Sequence, residues 1–463
     1  MQRRRKAMKK LIVVIVAFMV VFGSPLLSAQ ENTAAENAAP EKESARDVFE
    51  RIVNFNAVIQ SVFYYRNDSD FDGTRPFYNE DGQSVGLLGT FFAPKLELKP
   101  IEEIRIYYEA EIGLNLWSRN DPAQYSSGEK SAFQLAHREI YAEGHFVDNL
   151  VGFKVGYQKF YDPSGLFLGH WIGAASFISD PGWARFTLSA GQLPDQTYEG
   201  VTLDSNNFKH DTLVYGLRTD VPHKEWLFTI WMYGLNDSQI VDQTANIVTP
   251  GFSFSADYKW VNFGLDLALQ AGKTTNAAAD GDEKTFAYAL QAFADFSYYG
   301  FGTHLSQLIL SADDKHDHNG NNGAFYYSGK SRSRTIMLSE DEIRDKGGNL
   351  DEMIAARRGQ FYLARSGYSL TDLAFSYNVK DIFVPALIVG AGFALESDNA
   401  LAGVMVGVET DLDMEIKYKD ILSFHLIGGI LFPGGAAAAY VNQYDRKATN
   451  NQYMVETSLG VFF

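Results

Sequence analysis

The sequence contains no cysteine. That excludes a disulfide framework, a thiol nucleophile, a thiolate metal site and the acylated cysteine of a lipoprotein anchor. Basic charge is also scarce. Lys and Arg number 40 against 57 Asp and Glu, a formal net charge of −17, and a nucleic-acid partner is excluded because attraction to phosphate needs a basic surface. Long hydrophobic runs are missing beyond the N-terminus, so no segment reaches the roughly 20 apolar residues of a spanning helix. No H-E-x-x-H, G-x-S-x-G or P-loop pattern occurs. His137-Arg138-Glu139 and His425 stand isolated in extended segments. No catalytic residue is assigned, and the chain is not read as an enzyme.

What is present points to export. Arg3, Arg4, Arg5, Lys6, Lys9 and Lys10 precede an apolar run, Leu11–Phe22, and Leu26-Leu27-Ser28-Ala29 offers a cleavage site. This is the order of a secretory signal peptide, residues 1–29. Its removal takes six basic residues with it and leaves a charge of about −23. Residues 30–51 are rich in Ala, Glu and Asn, the composition of a disordered leader, with Ala45–Arg51 suited to a short helix. The domain proper is 52–463.

Across that domain the pattern is period two. The last stretch, Gln452–Phe463, sets Tyr453, Val455, Thr457, Leu459, Val461 and Phe463 on one face and Gln452, Met454, Glu456 and Ser458 on the other. It resembles the C-terminal signal that outer-membrane barrels present to the barrel-assembly machinery, with Tyr453, Val455, Leu459, Val461 and Phe463 as its apolar elements. The alternative is an edge strand closing a soluble sandwich. Ile104–Trp117 alternates most clearly, and its length exceeds the usual five or six residues of a soluble strand. About eighteen such segments follow one another from Val53–Arg66 onward. Short turns such as Val147-Asp148-Asn149, Pro222-His223-Lys224 and Lys380-Asp381 alternate with longer connections. The 34 Phe, 25 Tyr, 6 Trp and 40 Gly fit aromatic girdles on Gly-rich strands. The expected fold is an all-β transmembrane antiparallel barrel of about 18 strands, with short periplasmic turns and long extracellular loops. Outer-membrane lipids are its expected surroundings.

One connection, 313–365, is far longer than the rest. It carries two capping-box patterns, at Ser339–Glu342 and Asn349–Glu352, which predict two short helices. The loop either folds into the pore or extends from the surface. Charges in mid-strand are expected to face the lumen, since hydrocarbon exposure costs about 2–4 kcal/mol for Lys or Arg. That rule assigns Arg105, Glu109, Glu111, Glu139, Glu143, Lys154, Arg185, Arg218, Asp266, Asp295, Asp372, Glu409, Asp411, Asp413 and Glu456 to the pore lining. Glu409, Asp411, Asp413 and Glu415 form a row that either makes the pore lean to cations or lies beyond the membrane as a solvated face. Asp68, Asp70 and Asp72 open a calcium-like loop, but its twelfth position is Asn79. A solvated acidic loop is the preferred reading of this feature. No metal or other cofactor is assigned, calcium in the loops being the one candidate.

Gly156-Tyr157-Gln158-Lys159-Phe160-Tyr161-Asp162, followed by Leu166-Phe167-Leu168-Gly169, resembles the G-x-Q…L-x-G segment of the alginate-export family of outer-membrane porins. Ser311-Ala312-Asp313-Asp314 with Asn321-Asn322-Gly323-Ala324-Phe325 is similar to that family's acidic loop entry. The resemblance implies an eighteen-stranded monomeric barrel with Gln158 lining the lumen. Tyr157 and Gly165 stand where the family has Arg, and the acidic excess opposes a polyanionic cargo, so the alginate substrate is not carried over. The expected function is a porin in the outer membrane of a Gram-negative-type envelope, passing a hydrophilic solute, oligo- or polysaccharides included. The alternatives are a structural or adhesion barrel that binds an external partner through its loops, and an outer-membrane enzyme.

Overall fold

Alternation of apolar and polar residues becomes a single closed sheet in the computed structural model. It describes residues 52–67, 84–114, 133–192, 212–237, 243–276, 282–313, 320–326, 331–339, 367–396, 403–419, 421–436 and 451–463. The first strands are β1 (Val53–Asn67), β2 (Ser84–Ile101), β3 (Ile104–Leu114), β4 (Phe133–Phe146), β5 (Val151–Tyr161) and β6 (Gly169–Ser179). Then come β7 (Arg185–Gln192), β8 (Leu213–His223), β9 (Trp226–Asp237), β10 (Gln243–Tyr258), β11 (Val261–Asn276), β12 (Glu283–Tyr298) and β13 (Phe301–Leu310). A two-residue piece, β14 (Asn321–Asn322), lies parallel to the start of β12. The remainder are β15 (Tyr368–Tyr377), β16 (Phe383–Phe393), β17 (Met405–Tyr418), β18 (Leu422–Pro433) and β19 (Gln452–Phe462). Setting β14 aside, eighteen strands pair antiparallel with their sequence neighbours.

The seam is β1 against β19, running from Val58 opposite Phe462 to Arg66 opposite Met454. Every long strand therefore has two partners and no backbone edge is left open, which is the condition for crossing hydrocarbon with β-structure. Phe463 extends the seam: its N–H donates to the Ala57 carbonyl at 2.9 Å. Among the described residues, no helix is long and apolar enough to cross a membrane.

Eight connections at one end are short, none longer than 180–184 and 378–382. Their tightness needs left-handed backbone. Val147, Asp148 and Asn149 have φ of 53°, 54° and 69°, and Lys380 and Asp381 have 55° and 58°. Asp and Asn tolerate this region through local hydrogen bonds: Asn378 Oδ1 accepts the Asp381 N–H at 2.8 Å. The opposite end carries the long connections.

The two faces of the wall differ as a membrane barrel requires. Phe177, Leu188, Ile230, Phe286, Leu305, Phe375 and Leu412 are exposed on the outside. Near the short turns the outer face turns aromatic. Trp260 meets Tyr298 edge-on at 5.3 Å, Tyr298 meets Tyr299 at 4.4 Å, and Phe301 meets Tyr377 at 4.9 Å. A continuous apolar surface with an aromatic girdle is what a barrel presents to lipid. The predicted boundaries hold to within a few residues for most strands. One β-bulge was not foreseen: Glu109 pairs with Glu139 and Ala110 with His137. Arg138 is the extra residue, and His137 is turned to the exposed side, where its ring lies 3.1 Å from the Tyr108 hydroxyl.

Candidate functional site

Two inserted segments narrow the interior. The first joins β5 to β6. Asp162 is its hub: it accepts the N–H groups of Ser164, Phe167 and Leu168 at 2.9, 2.8 and 2.7 Å, and also the Ser164 hydroxyl. Gly165 closes the knot at φ 71°. Burial pushes the Asp162 carboxyl above its ordinary range against the pull of these donors. The knot turns Leu166, Phe167 and Leu168 inward, all fully buried, into a cluster with Phe160, Ile172, Trp231 and Tyr233. The Leu-Phe-Leu run breaks the polar alternation, and that was the sequence signal for an inward wedge.

The second segment is longer. Its described stretches, 320–326 and 331–339, belong to the connection between β13 and β15. They form a strap that crosses the inner wall and is held by inward side chains of β11, β12, β13, β15 and β17. On β11, Gln270 accepts the Tyr326 N–H at 2.8 Å and donates to the Tyr326 carbonyl at 2.9 Å. On β12, Gln291 accepts the Arg332 N–H at 2.8 Å. On β13, His304 Nε2 lies 3.0 Å from the Arg332 carbonyl. On β15, Asp372 accepts the Arg334 N–H at 3.2 Å. On β17, Glu409 takes three N–H groups, those of Ile336, Met337 and Leu338, at 2.8, 2.7 and 2.5 Å. Asp411 adds a longer bond to Ile336 at 3.3 Å. With three backbone donors, Glu409 binds more of the strap than any other described inward side chain and is the main anchor.

Glycines make room for the strap on β16 and β18. A Cβ on Gly390 would sit 2.2 Å from Thr335 Cγ2, and one on Gly392 would sit 2.6 Å from the Tyr368 hydroxyl. On Gly429 it would meet Asp411 Oδ1 at 2.1 Å and Ile336 Cδ1 at 2.9 Å. Met337 and Leu338 are buried behind this line. Thus the long connection packs against the inner wall over its described part. Within the Ser339–Glu342 pattern only Ser339 is described; the rest of that pattern and all of Asn349–Glu352 lie outside the described residues.

The wall of β2–β5 is organised differently. Arg105 binds Glu143 at 2.6 Å and reaches Glu97 at 3.9 Å, while Glu143 also meets His145 at 2.7 Å. Lys95 pairs with Glu109 at 3.5 Å, and the Tyr107 hydroxyl donates to Glu109 at 2.6 Å. Tyr107 stacks on Tyr141, and the Lys154 ammonium lies 3.9 Å over the Tyr141 ring. Further round, Arg218 binds Asp220 at 2.8 Å and Thr229 donates to the same carboxylate at 2.7 Å.

The assigned residues fall into three groups. Arg105, Glu109, Glu143, Lys154 and Arg218 join the charge-paired wall. Arg185 is exposed on β7 opposite Asp220, and Glu456 is half-buried on β19 opposite Ile427. Asp372, Glu409 and Asp411 are covered by the strap, Asp295 pairs with Arg334 and His304, and Asp266 is buried beside Gln291. The row on β17 is therefore divided, two acids under the strap and Asp413 and Glu415 beyond it. Glu139 is buried and accepts the Lys159 N–H at 3.2 Å. Gln158 is buried and donates to the Ala174 carbonyl at 3.1 Å. Glu111 stands opposite Ala136 on β3, its side chain outside those described, as are Asp68, Asp70 and Asp72. Among the described residues no group of three His, Asp or Glu could hold a metal ion. In the terminal strand Tyr453, Val455, Leu459 and Phe463 are exposed and Val461 is half-buried.

Sequence reasoning missed Gln270, Gln291, His304, Arg334 and Asp162. The fold sets Ser458 directly opposite His425, although the imidazole binds Asp413, at 2.5 Å, through Nε2. Between the strap and the short turns lies a cavity of about 410 Å³, lined by Arg334, Asp413, Glu415 and His425 with small residues of β16.

No protein-family model matches the sequence, and no curated protein matches it. The fold is shared with solved porins. OccK9 (OpdG) of Pseudomonas aeruginosa superposes with a TM-score of 0.57 at 10% identity, over 90% of this chain and 100% of that one. OccK1 (OpdK) of the same organism gives 0.55 at 11%, over 89% and 98%. A BenF-like porin from Pseudomonas fluorescens gives 0.53 at 10%, over 89% and 99%. In architecture the chain is a closed eighteen-strand antiparallel barrel of the kind these porins share.

Proposed function

We propose that this chain is an outer-membrane channel that admits small hydrophilic solutes through a bore narrowed by the strap. The observation that carries this reading is the strap itself. A barrel that served only to hold up external loops needs no segment laid across its interior and hydrogen-bonded to β11, β12, β13, β15 and β17. The lipid-facing belt and the aromatic girdle support placement in the outer membrane, reached through the N-terminal signal. The terminal strand supports recognition by the barrel-assembly machinery, with Phe463 at the seam, and the closed sheet supports a monomer. One neighbour, OpdK, was solved with vanillate, and small solutes of that size suit a narrowed bore better than a polymer does. Alginate-type export is disfavoured further because acids outnumber bases on the inner wall.

The test is planar-bilayer recording of the refolded full-length protein. Discrete ionic conductance is expected, with a reversal potential in a salt gradient on the cation side. A barrel that inserts and carries no current would sink the reading. Anion selectivity would leave the channel standing and remove the weight given to the acidic wall.

A further inference from the structure

The cavity on the short-turn side of the strap carries both charge signs in its lining. Arg334 projects from the strap, its guanidinium 3.0 Å from Asp295 on one side and lining the cavity on the other. Asp413 and Glu415 on β17 line the same cavity. Ladder register explains the concavity. Ala386 lies opposite Asp413 and Val384 opposite Glu415, so β16 contributes two small apolar side chains between polar neighbours. His425 and Ser458, paired across β18 and β19, complete the far wall.

We propose that this cavity is a binding subsite for a small zwitterion, its anionic group held by Arg334 and its cationic group by Asp413 and Glu415. The proposal rests on the channel reading above and names the solute class. The volume of about 410 Å³ is in the range of small-molecule sites. A simple anion gains Arg334 but meets two carboxylates. A simple cation gains the carboxylates but meets the guanidinium. Only a molecule with both charges satisfies both walls, and the floor of Val384 and Ala386 takes its short apolar stem. Neither carboxylate is locked away. Asp413 is bound by a ring nitrogen of His425, and Glu415 by the half-exposed Lys417 at 2.9 Å, a partner exchanged at little cost.

The experiment uses the full-length barrel in planar bilayers with three probes: L-glutamine, its N-acetyl derivative and its α-amide. These carry both charges, only the negative one and only the positive one. L-Glutamine is expected to block the ionic current saturably and about fivefold more tightly than either analogue, the scale of one partly buried charged contact. Arg334→Gln should erase the advantage over the amide, and Asp413→Asn the advantage over the acetyl derivative. Val384→Trp, which fills the floor without altering charge, should abolish block and leave ionic conductance measurable. Heat-dependent gel mobility verifies that each variant is folded. Equal block by all three probes, or a preference that survives Arg334→Gln and Asp413→Asn, overturns the zwitterion site while conductance upholds the channel. Absence of current in the unaltered protein overturns the channel reading and this subsite with it.

Discussion

The two halves of the inner wall use charge for different ends. On β2–β5 the ionised groups satisfy one another, side chain to side chain. Glu143 has both Arg105 and His145, and Glu109 has both Lys95 and Tyr107. On β11–β17 the inward polar groups satisfy a backbone that comes from elsewhere. Glu409 holds three N–H groups of the strap and is wholly buried beneath it. The first wall has redundant partners and open access to solvent. The second depends most on one carboxylate, Glu409, whose loss leaves buried backbone donors without their acceptor. Charge of similar density thus makes a tolerant lining in one place and a fixed constriction in the other.

The sharpest way to break this contrast is Glu409→Ala. The N–H groups of Met337 and Leu338 lose their acceptor and Ile336 keeps only its longer bond to Asp411, and each unpaired buried donor costs about 1–3 kcal/mol. The strap is expected to leave the wall, single-channel conductance to rise, and protease cleavage within 331–339 to accelerate. Unchanged conductance would mean that the strap does not set the bore. Gly390→Val attacks the same contact from the other side, keeping every charge. Its Cβ meets Thr335 at 2.2 Å, and overpacking of this kind costs about 1–3 kcal/mol. A conductance rise in the same direction as for Glu409→Ala is expected. If only the charge variant opens the bore, electrostatics in the lumen and not the position of the strap is responsible. Arg105→Ala tests the tolerant wall. His145 remains beside Glu143 and Lys99 remains 2.8 Å from Glu97, so the loss is expected to stay below about 1 kcal/mol. Conductance should hardly change while reversal potential moves further to the cation side. A collapse of conductance would show that the two walls are not distinct.

Strand positions were legible because period two is written into each segment separately. Ile104, Ile106 and Tyr108 against Arg105, Tyr107 and Glu109 need no knowledge of the neighbours. The strap was not legible, because its anchors are distant in sequence: Glu409 lies 73 residues from Ile336. The acidic row on β17 was legible and its division by the strap was not, since nothing in Glu409-Thr410-Asp411 announces which carboxylate will be covered. A signal did exist. Gly390 and Gly392 on β16 leave a groove where a lining strand has no reason to be bare. The bulge at Arg138 was equally hidden, because a two-against-one pairing is a property of β3 and β4 together.

The seam has a consequence for the order of assembly. The strap precedes in the chain the strands that hold it most firmly, and the sheet closes only when β19 meets β1. If the circle shuts first, the segment must find Glu409 from inside a finished cylinder. If β17 is in place first, the strap docks on an open sheet and closure wraps the wall around it. The second route searches a surface, the first a confined volume already crowded by the wedge at Asp162. A barrel caught between closure and docking would be a wide pore, leaky to solutes that the finished protein excludes.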